Sequence, residues 1–418
     1  MNVLKLSRPF LLLAFPLVAV SSSLDLSGEW QVGLQSPSTA DDAAWHPIRL
    51  PGTLTDAGIG APLQMKPDLT LATLARLQTK FSYVGPAWYR RQIDVPAAWA
   101  GHRILFEVER VLWESQVWVD GRYVGRCDSL IAPHVHDLSA WLPPGRHELL
   151  VRIDNGEIHP GISHRATSYP AAADAFLAHT YTNHTQTIWN GMLGALRLVA
   201  EHSLAIERLA VFPRRQPAAA MRIEGRLAAA PANGRGAPFR FVLRGADGQA
   251  LAERVETLGA AGTTTIAFDW VLPSGIDIRP WNEFSPLLYR IEASPVENTS
   301  DPFAVRFGFR QLQADAGELS LDGRRIFLRG TLECAVFPLT GYPPTDLDSW
   351  RRIMQRAKEW GLNHLRFHSW CPPEAAFDAA DELGLYLQVE LPHWSLEVGH
   401  HPATWEFLQA EAGRMLAA

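Results

Sequence analysis

Several side chains in the C-terminal part of the sequence could act together on a polyhydroxylated ring. Glu333 closes one apolar run, Arg366, His368 and Trp370 close a second, and Glu390, His393 and Trp394 close a third. An arginine fork donates to hydroxyls or to a carboxylate, and an indole offers a flat apolar face with a polar edge. Cleaving a glycosidic bond with retention takes two carboxyl groups about 5–5.5 Å apart, one protonating the leaving oxygen and one attacking the anomeric carbon. Glu333 and Glu390 are the well-placed carboxyls, and position alone does not make them that pair. For Arg366 the competing reading is a structural ion pair. His364 is read as structural, alternating away from Arg366.

The elements that would position these groups alternate in type. Arg325 to Gly330 reads as a strand. Thr345, with Asp348 three residues on, has capping-box spacing. Trp350, Ile353, Met354, Ala357 and Trp360 then recur at helical spacing up to Gly361. Asn363 to His368 is a strand, Pro372 and Pro373 open a helix that stops at Gly384, and Leu385 to Glu390 is a strand. A last helix carries Trp405, Phe407, Leu408 and Met415. Strand and helix in alternation predict a parallel α/β barrel or doubly wound sheet, with chemistry at the C-terminal strand ends.

Upstream, the pattern is short alternating strands broken by Gly and Pro. Examples are Trp88 to Val95, Arg103 to Glu109, and Val117-Trp118-Val119 running into the Asp120-Gly121 turn. Residues 201–310 form a second all-β stretch, with Ala228 to Pro238 as a loop. The division is 1–23 export signal, 24–200 first sandwich, 201–310 second sandwich and 311–418 strand–helix units. Lys5 and Arg8, the apolar run Phe10 to Val20, and Ala19-Val20-Ser21 fit a cleaved signal, implying a periplasmic or secreted protein.

The 418 residues carry a net charge of −6, which argues against a nucleic-acid partner. Once the signal is cleaved, no membrane partner is expected. Cys127, Cys334 and Cys371 lie far apart, so neither a disulfide framework nor a metal site is expected. No cofactor is implied. Most of the 15 Trp are assigned to β-sandwich cores.

These features, taken in order, resemble glycoside hydrolase family 2, which includes β-galactosidases, β-glucuronidases and β-mannosidases. The resemblance covers nearly everything after the signal. It rests on Leu26-Ser27-Gly28-Glu29-Trp30, the hairpin Val117 to Gly125, and Trp189-Asn190-Gly191-Met192-Leu193-Gly194. It continues through Trp281-Asn282-Glu283-Phe284-Ser285-Pro286-Leu287-Leu288-Tyr289, Gly308-Phe309-Arg310 and Phe327-Leu328-Arg329-Gly330. Asn363 to Arg366 and Asp381-Glu382-Leu383-Gly384-Leu385-Tyr386 complete it. The resemblance implies a multidomain β plus α/β protein: a jelly-roll-like sugar-binding β-sandwich, an immunoglobulin-like β-sandwich and an incomplete (β/α)8 TIM barrel. It also implies retaining hydrolysis of a β-linked sugar in an oligo- or polysaccharide.

Under that resemblance Arg366 lies in the sugar pocket and Glu390 closes the third strand, with Trp189 and Asn190 as further sugar-contact candidates. The family's acid/base follows a fourth strand in an Asn-Glu pair and its nucleophile lies near a seventh. Both positions are expected beyond Ala418, so residues 1–418 are expected to be inactive alone. The sequence departs from the family in shifting the His after Arg366 by one, and in having Thr331-Leu332-Glu333-Cys334 where Asn-x-His is common. Two other readings stand beside this one: a non-catalytic carbohydrate-binding fragment, and one part of a split enzyme completed by self-association or a complementing chain. The sandwiches are expected to be stable by themselves, and residues after about 315 to be loosely ordered, aggregating or docked on a partner.

Overall fold

The computed structural model describes residues 23–34, 45–62, 80–156, 189–201, 204–215, 218–231, 233–297, 302–315, 317–393 and 402–417. It is mostly β-sheet with few helices. The expected signal peptide and Trp394 lie outside the described residues.

Two antiparallel sheets build the first unit. One runs in the order Ser23–Asp25, Gly191–Glu201, Arg103–Arg110, His134–Asp137, with Gly52–Thr53 also on Gly191–Glu201. The other runs Arg122–Asp128, Glu114–Val119, Gly145–Asp154, Pro86–Val95, Gly28–Gly33, His46–Leu50. Alternation sends Tyr89, Ile93, Phe106, Val117 and Val151 into one shared core with Trp30 and Leu198. The Asp120-Gly121 turn has positive φ at both residues, 49° and 76°, the geometry that a tight hairpin demands.

The second unit pairs a three-stranded sheet (Ile206–Arg214, Ala220–Leu227, Thr265–Val271) with a four-stranded one (Ala250–Ala260, Arg235–Arg244, Tyr289–Pro295, Phe303–Phe307). Ile223, Phe239, Phe241 and Ile291 fill the space between them. The expected loop at 228–238 is shorter than read, because Arg235 already pairs with Ala260 and Pro238 with Thr257.

A small meander (Leu312–Asp315, Glu318–Leu321, Arg324–Arg325) leads into a parallel sheet. Its strands are β1 (Gly330–Glu333), β2 (His364–Phe367) and β3 (Tyr386–Gln388), in that spatial order. Helices α1 (Leu347–Glu359), α2 (Glu374–Leu383) and α3 (Pro402–Ala417) follow the strands in turn. The single strand expected from Arg325 to Gly330 is instead divided. Arg325 closes the meander and Gly330 opens β1, in register with His364. Asp346, not Thr345, caps α1, accepting from the Ser349 amide at 2.8 Å. Trp350, Met354 and Ala357 are buried as their spacing requires. Trp360 is not: it sits past the last turn, 84% exposed.

The three units are locked together. Leu112, Trp113, Leu130, Ile131, Trp189 and Leu193 of the first sandwich share a core with Trp350, Phe367, Trp370 and Phe407 of the strand–helix units. Trp113 meets Phe407 edge-on, with ring centroids 6.0 Å apart. From the second sandwich, Trp281 donates to the Asp381 carbonyl at 2.8 Å. Glu283 receives Arg329 at 3.3 Å and the Asn363 amide at 2.8 Å. At Gly384 (φ 73°) an added Cβ would stand 2.8 Å from the Glu283 carbonyl oxygen, so only glycine fits this approach. The strand–helix units therefore pack against both sandwiches, while each sandwich also keeps a core of its own.

Candidate functional site

The C-terminal ends of β1, β2 and β3 bring Glu333, Arg366, His368 and Glu390 to one end of the parallel sheet. In β2, Leu365 and Phe367 are buried toward the helices, so His364 and Arg366 take the opposite face. The reading that His364 alternates away from Arg366 is corrected: residues two apart on a strand share a face. His364 lines an apolar groove of about 660 Å³ with Leu312, Phe377, Tyr386 and Val389.

Arg366 donates through Nε to Glu390 Oε1 at 2.5 Å. Its side chain is 45% exposed and faces solvent, with donors left for a ligand. The Glu390 carboxylate also accepts the Ser369 amide at 2.8 Å. Burial pushes the Glu390 carboxyl upward, but the Arg366 guanidinium, the Ser369 amide and the nearby His368 outweigh it, and the group sits below its ordinary range. Glu333 goes the other way. Its burial raises it against the pull of the Ala335 and Val336 amides, bonded at 2.9 and 3.3 Å. Two carboxyls pushed in opposite directions is the pattern that separates an acid from a base. The Glu333 carboxylate, however, folds back on its own loop and acts as a brace there.

Of the three amides that hold these carboxylates, two belong to residues with left-handed backbone, Ala335 at φ 55° and Ser369 at φ 59°. Side-chain-bearing residues pay about 1–2 kcal/mol for that conformation. Such strain gathers where the backbone must aim a donor. His368 donates its amide to the Glu333 carbonyl at 2.8 Å, tying the end of β2 to β1. Cys334 Sγ lies 3.9 Å from His368 Nδ1, and burial raises its thiol. His393, beyond β3, is half-buried, and burial lowers its imidazole.

Three candidates leave the site. Trp370 is fully buried among Phe367, Trp350 and Phe337, so its ring is core and offers no face to a sugar. Trp189 is buried in the same core. Asn190 is a buried cross-link: its amide donates to the carbonyls of Gly85 at 2.9 Å and Ile153 at 3.3 Å, and its oxygen accepts from Tyr89 Oη at 2.8 Å. An Asn-Gly closing strand reads like a ligand-facing turn, but all its hydrogen bonds go to the fold.

Sequence reasoning also missed contributors. Arg110, buried in the first sandwich, donates to the carbonyls of Cys371 at 3.4 Å and Pro372 at 2.6 Å, clamping the loop that carries Ser369. Glu411 in α3, with no exposed surface, accepts from Ser129 Oγ and the Leu130 amide, each at 2.9 Å. These partners are more than 260 residues apart, beyond any spacing signal.

Comparison with known proteins finds similarity to glycoside hydrolase family 2. Residues 23–163 match the family model for the "Glycosyl hydrolases family 2, sugar binding domain". Among curated relatives, a β-galactosidase of Arthrobacter sp. (strain B7) is 24% identical over 414 residues, covering 92% of this chain and 36% of that protein. A putative β-glucuronidase of Formosa agariphila is 22% identical over 319 residues, covering 73% of this chain and 27% of that protein. A solved β-glucuronidase of Ruminococcus gnavus, in complex with a C6-substituted uronic isofagomine, superposes with a TM-score of 0.73 at 16% identity. That match covers 94% of this chain and 64% of the solved one. The chain thus spans well under half the length of these two curated relatives.

Proposed function

We propose that this chain is the sugar-recognising portion of a family 2 glycosidase acting on β-linked sugars. In this reading the first unit is the jelly-roll-like sugar-binding sandwich and the second an immunoglobulin-like sandwich. The β1–α3 region opens a (β/α)8 barrel. The observation that carries the proposal is the Arg366–Glu390 pair, held at the strand ends by the Ser369 amide and open to solvent. Arg366 donates to ring hydroxyls or to a sugar carboxylate, and Glu390, kept ionised, accepts from hydroxyls. In this reading the described residues bind and orient the sugar ring.

Calorimetric titration with β-galactosides and β-glucuronides tests this. Arg366→Ala is expected to weaken binding at least about tenfold, since a charged hydrogen bond is worth about 1.5–3 kcal/mol. The exposed position leaves thermal stability nearly unchanged. A variant that unfolds early while its folded fraction binds normally would make Arg366 a structural residue. The tripartite N-terminus further supports export with cleavage near residues 21–23. N-terminal sequencing of protein from the native host should start there, and an intact Met1 in the cytoplasm would refute export.

A further inference from the structure

The loop that joins β2 to α2 touches the ends of both neighbouring strands. Ser369 donates its amide to Glu390 Oε2 at 2.8 Å. The Trp370 carbonyl accepts the Glu390 amide at 3.3 Å, and Trp370 Nε1 donates to the Glu333 carbonyl at 3.4 Å. The whole segment from Ser369 to Pro373 is buried. Pro372 and Pro373 have their φ set by their rings, and Ser369 holds a left-handed backbone at φ 59°. A non-glycine residue stays in that region only where its surroundings over-determine it.

Part of those surroundings comes from another unit. Arg110, 5% exposed in the first sandwich, donates to the carbonyls of Leu130 at 3.4 Å, Cys371 at 3.4 Å and Pro372 at 2.6 Å. Among the described residues it makes no ion pair, so a buried cation is held by main-chain dipoles. Well-packed apolar residues often match or exceed a buried ionic cluster in stability. What an apolar side chain cannot do is fix the direction of three carbonyls, as the rigid guanidinium fork does.

We propose that Arg110 is a positioning residue for the strand-end site: by gripping Cys371 and Pro372 from the first sandwich, it aims the Ser369 amide that sets the Glu390 carboxylate against Arg366. The first sandwich thus takes part in the site without Arg110 touching the ring. The role in ring binding rests on the glycoside reading above; the placement of Glu390 does not.

The test is a carbon-13 titration of the Glu390 carboxyl, assigned with Glu390→Gln, in the wild-type protein, Arg110→Lys and Arg110→Met. Arg366 and His368 act on that carboxyl in all three proteins, so a change reports the Ser369 amide. Losing a hydrogen bond to the ionised form moves a carboxyl upward. In Arg110→Met the midpoint is expected to rise toward the ordinary glutamate range. In Arg110→Lys, whose ammonium lacks the fork, it is expected to fall between the two. Lysine keeps the charge and most of the length, so that variant decides if Arg110→Met fails to fold. The second readout is calorimetric titration with methyl β-galactoside and methyl β-glucuronide. Whichever probe the wild-type protein binds is expected to bind Arg110→Met about tenfold more weakly, the loss of one well-placed charged hydrogen bond. A wild-type Glu390 midpoint in either folded variant overturns the proposal. A midpoint that rises while ring binding is unchanged overturns the part Arg110 plays in binding. Wild-type protein that binds neither probe overturns the glycoside reading, and the midpoint alone then judges Arg110.

Discussion

Between pH 6.5 and about 4 the protein is expected to lose on the order of 3 kcal/mol for each of two histidines in the first sandwich. His134 and His136 are buried and share Ser115, whose Oγ lies 2.6 Å from His134 Nδ1 and 2.9 Å from His136 Nε2. Burial lowers His134 from 6.5 to about 4 and His136 to about 3, with Arg414, Asp128 and Arg110 as the charged groups acting on His134. The unfolded chain takes up protons below about 6.5, while the folded chain refuses them until about 4 and 3. Stability from these sites is thus complete above pH 6.5 and falls as the pH drops toward the folded values. Denaturant titrations at pH 7, 5.5 and 4 measure it. The double substitution His134→Gln with His136→Gln should flatten the slope even if it lowers stability overall. An unaltered slope would mean that other groups govern the acid limb.

Glu411→Ala is expected to cost about 3 kcal/mol or more. Removing one partner of a buried ionic cluster strands the others. Here the Leu130 amide and the Ser129 hydroxyl lose their acceptor, and Arg414 keeps Asp128 alone. The loss should concentrate in α3, seen as faster amide exchange from Pro402 to Ala417 than in the second sandwich. Uniformly faster exchange across all three units would show that the molecule opens as one body and that Glu411 is no local latch.

The sequence disclosed most of what is local. Periodicity located the sandwich strands, the Asp120-Gly121 turn and the order of strand and helix after Gly330, because each depends on neighbours within a few residues. It located Arg366 and Glu390 by their place at strand ends, and they do meet. It failed where a side chain's fate depends on distant packing. Trp370 and Trp189 have the composition of a sugar platform, but the shared core between the first sandwich and the strand–helix units takes them up. Thr345 and Asp346 are both good caps, and only the backbone conformation at Asp346 decides between them. Nothing in the residues near Arg110 or Glu411 indicates partners across the molecule.

That shared core also has a consequence in time. Leu112, Trp113, Leu130, Ile131 and Trp189 are made early, and the surface that covers them is made later, with 210 residues from Glu201, where the first sandwich is complete, to Glu411. At roughly 5–20 residues per second of synthesis, the first sandwich waits about 10–40 s before α3 can close over it. During that interval a tryptophan-bearing apolar face stands open on an otherwise finished domain. The nascent chain is therefore most vulnerable to sticking not while it is unfolded but after its first domain has folded. A chaperone that recognises folded domains with one uncovered face would serve it better than one that grips extended chain.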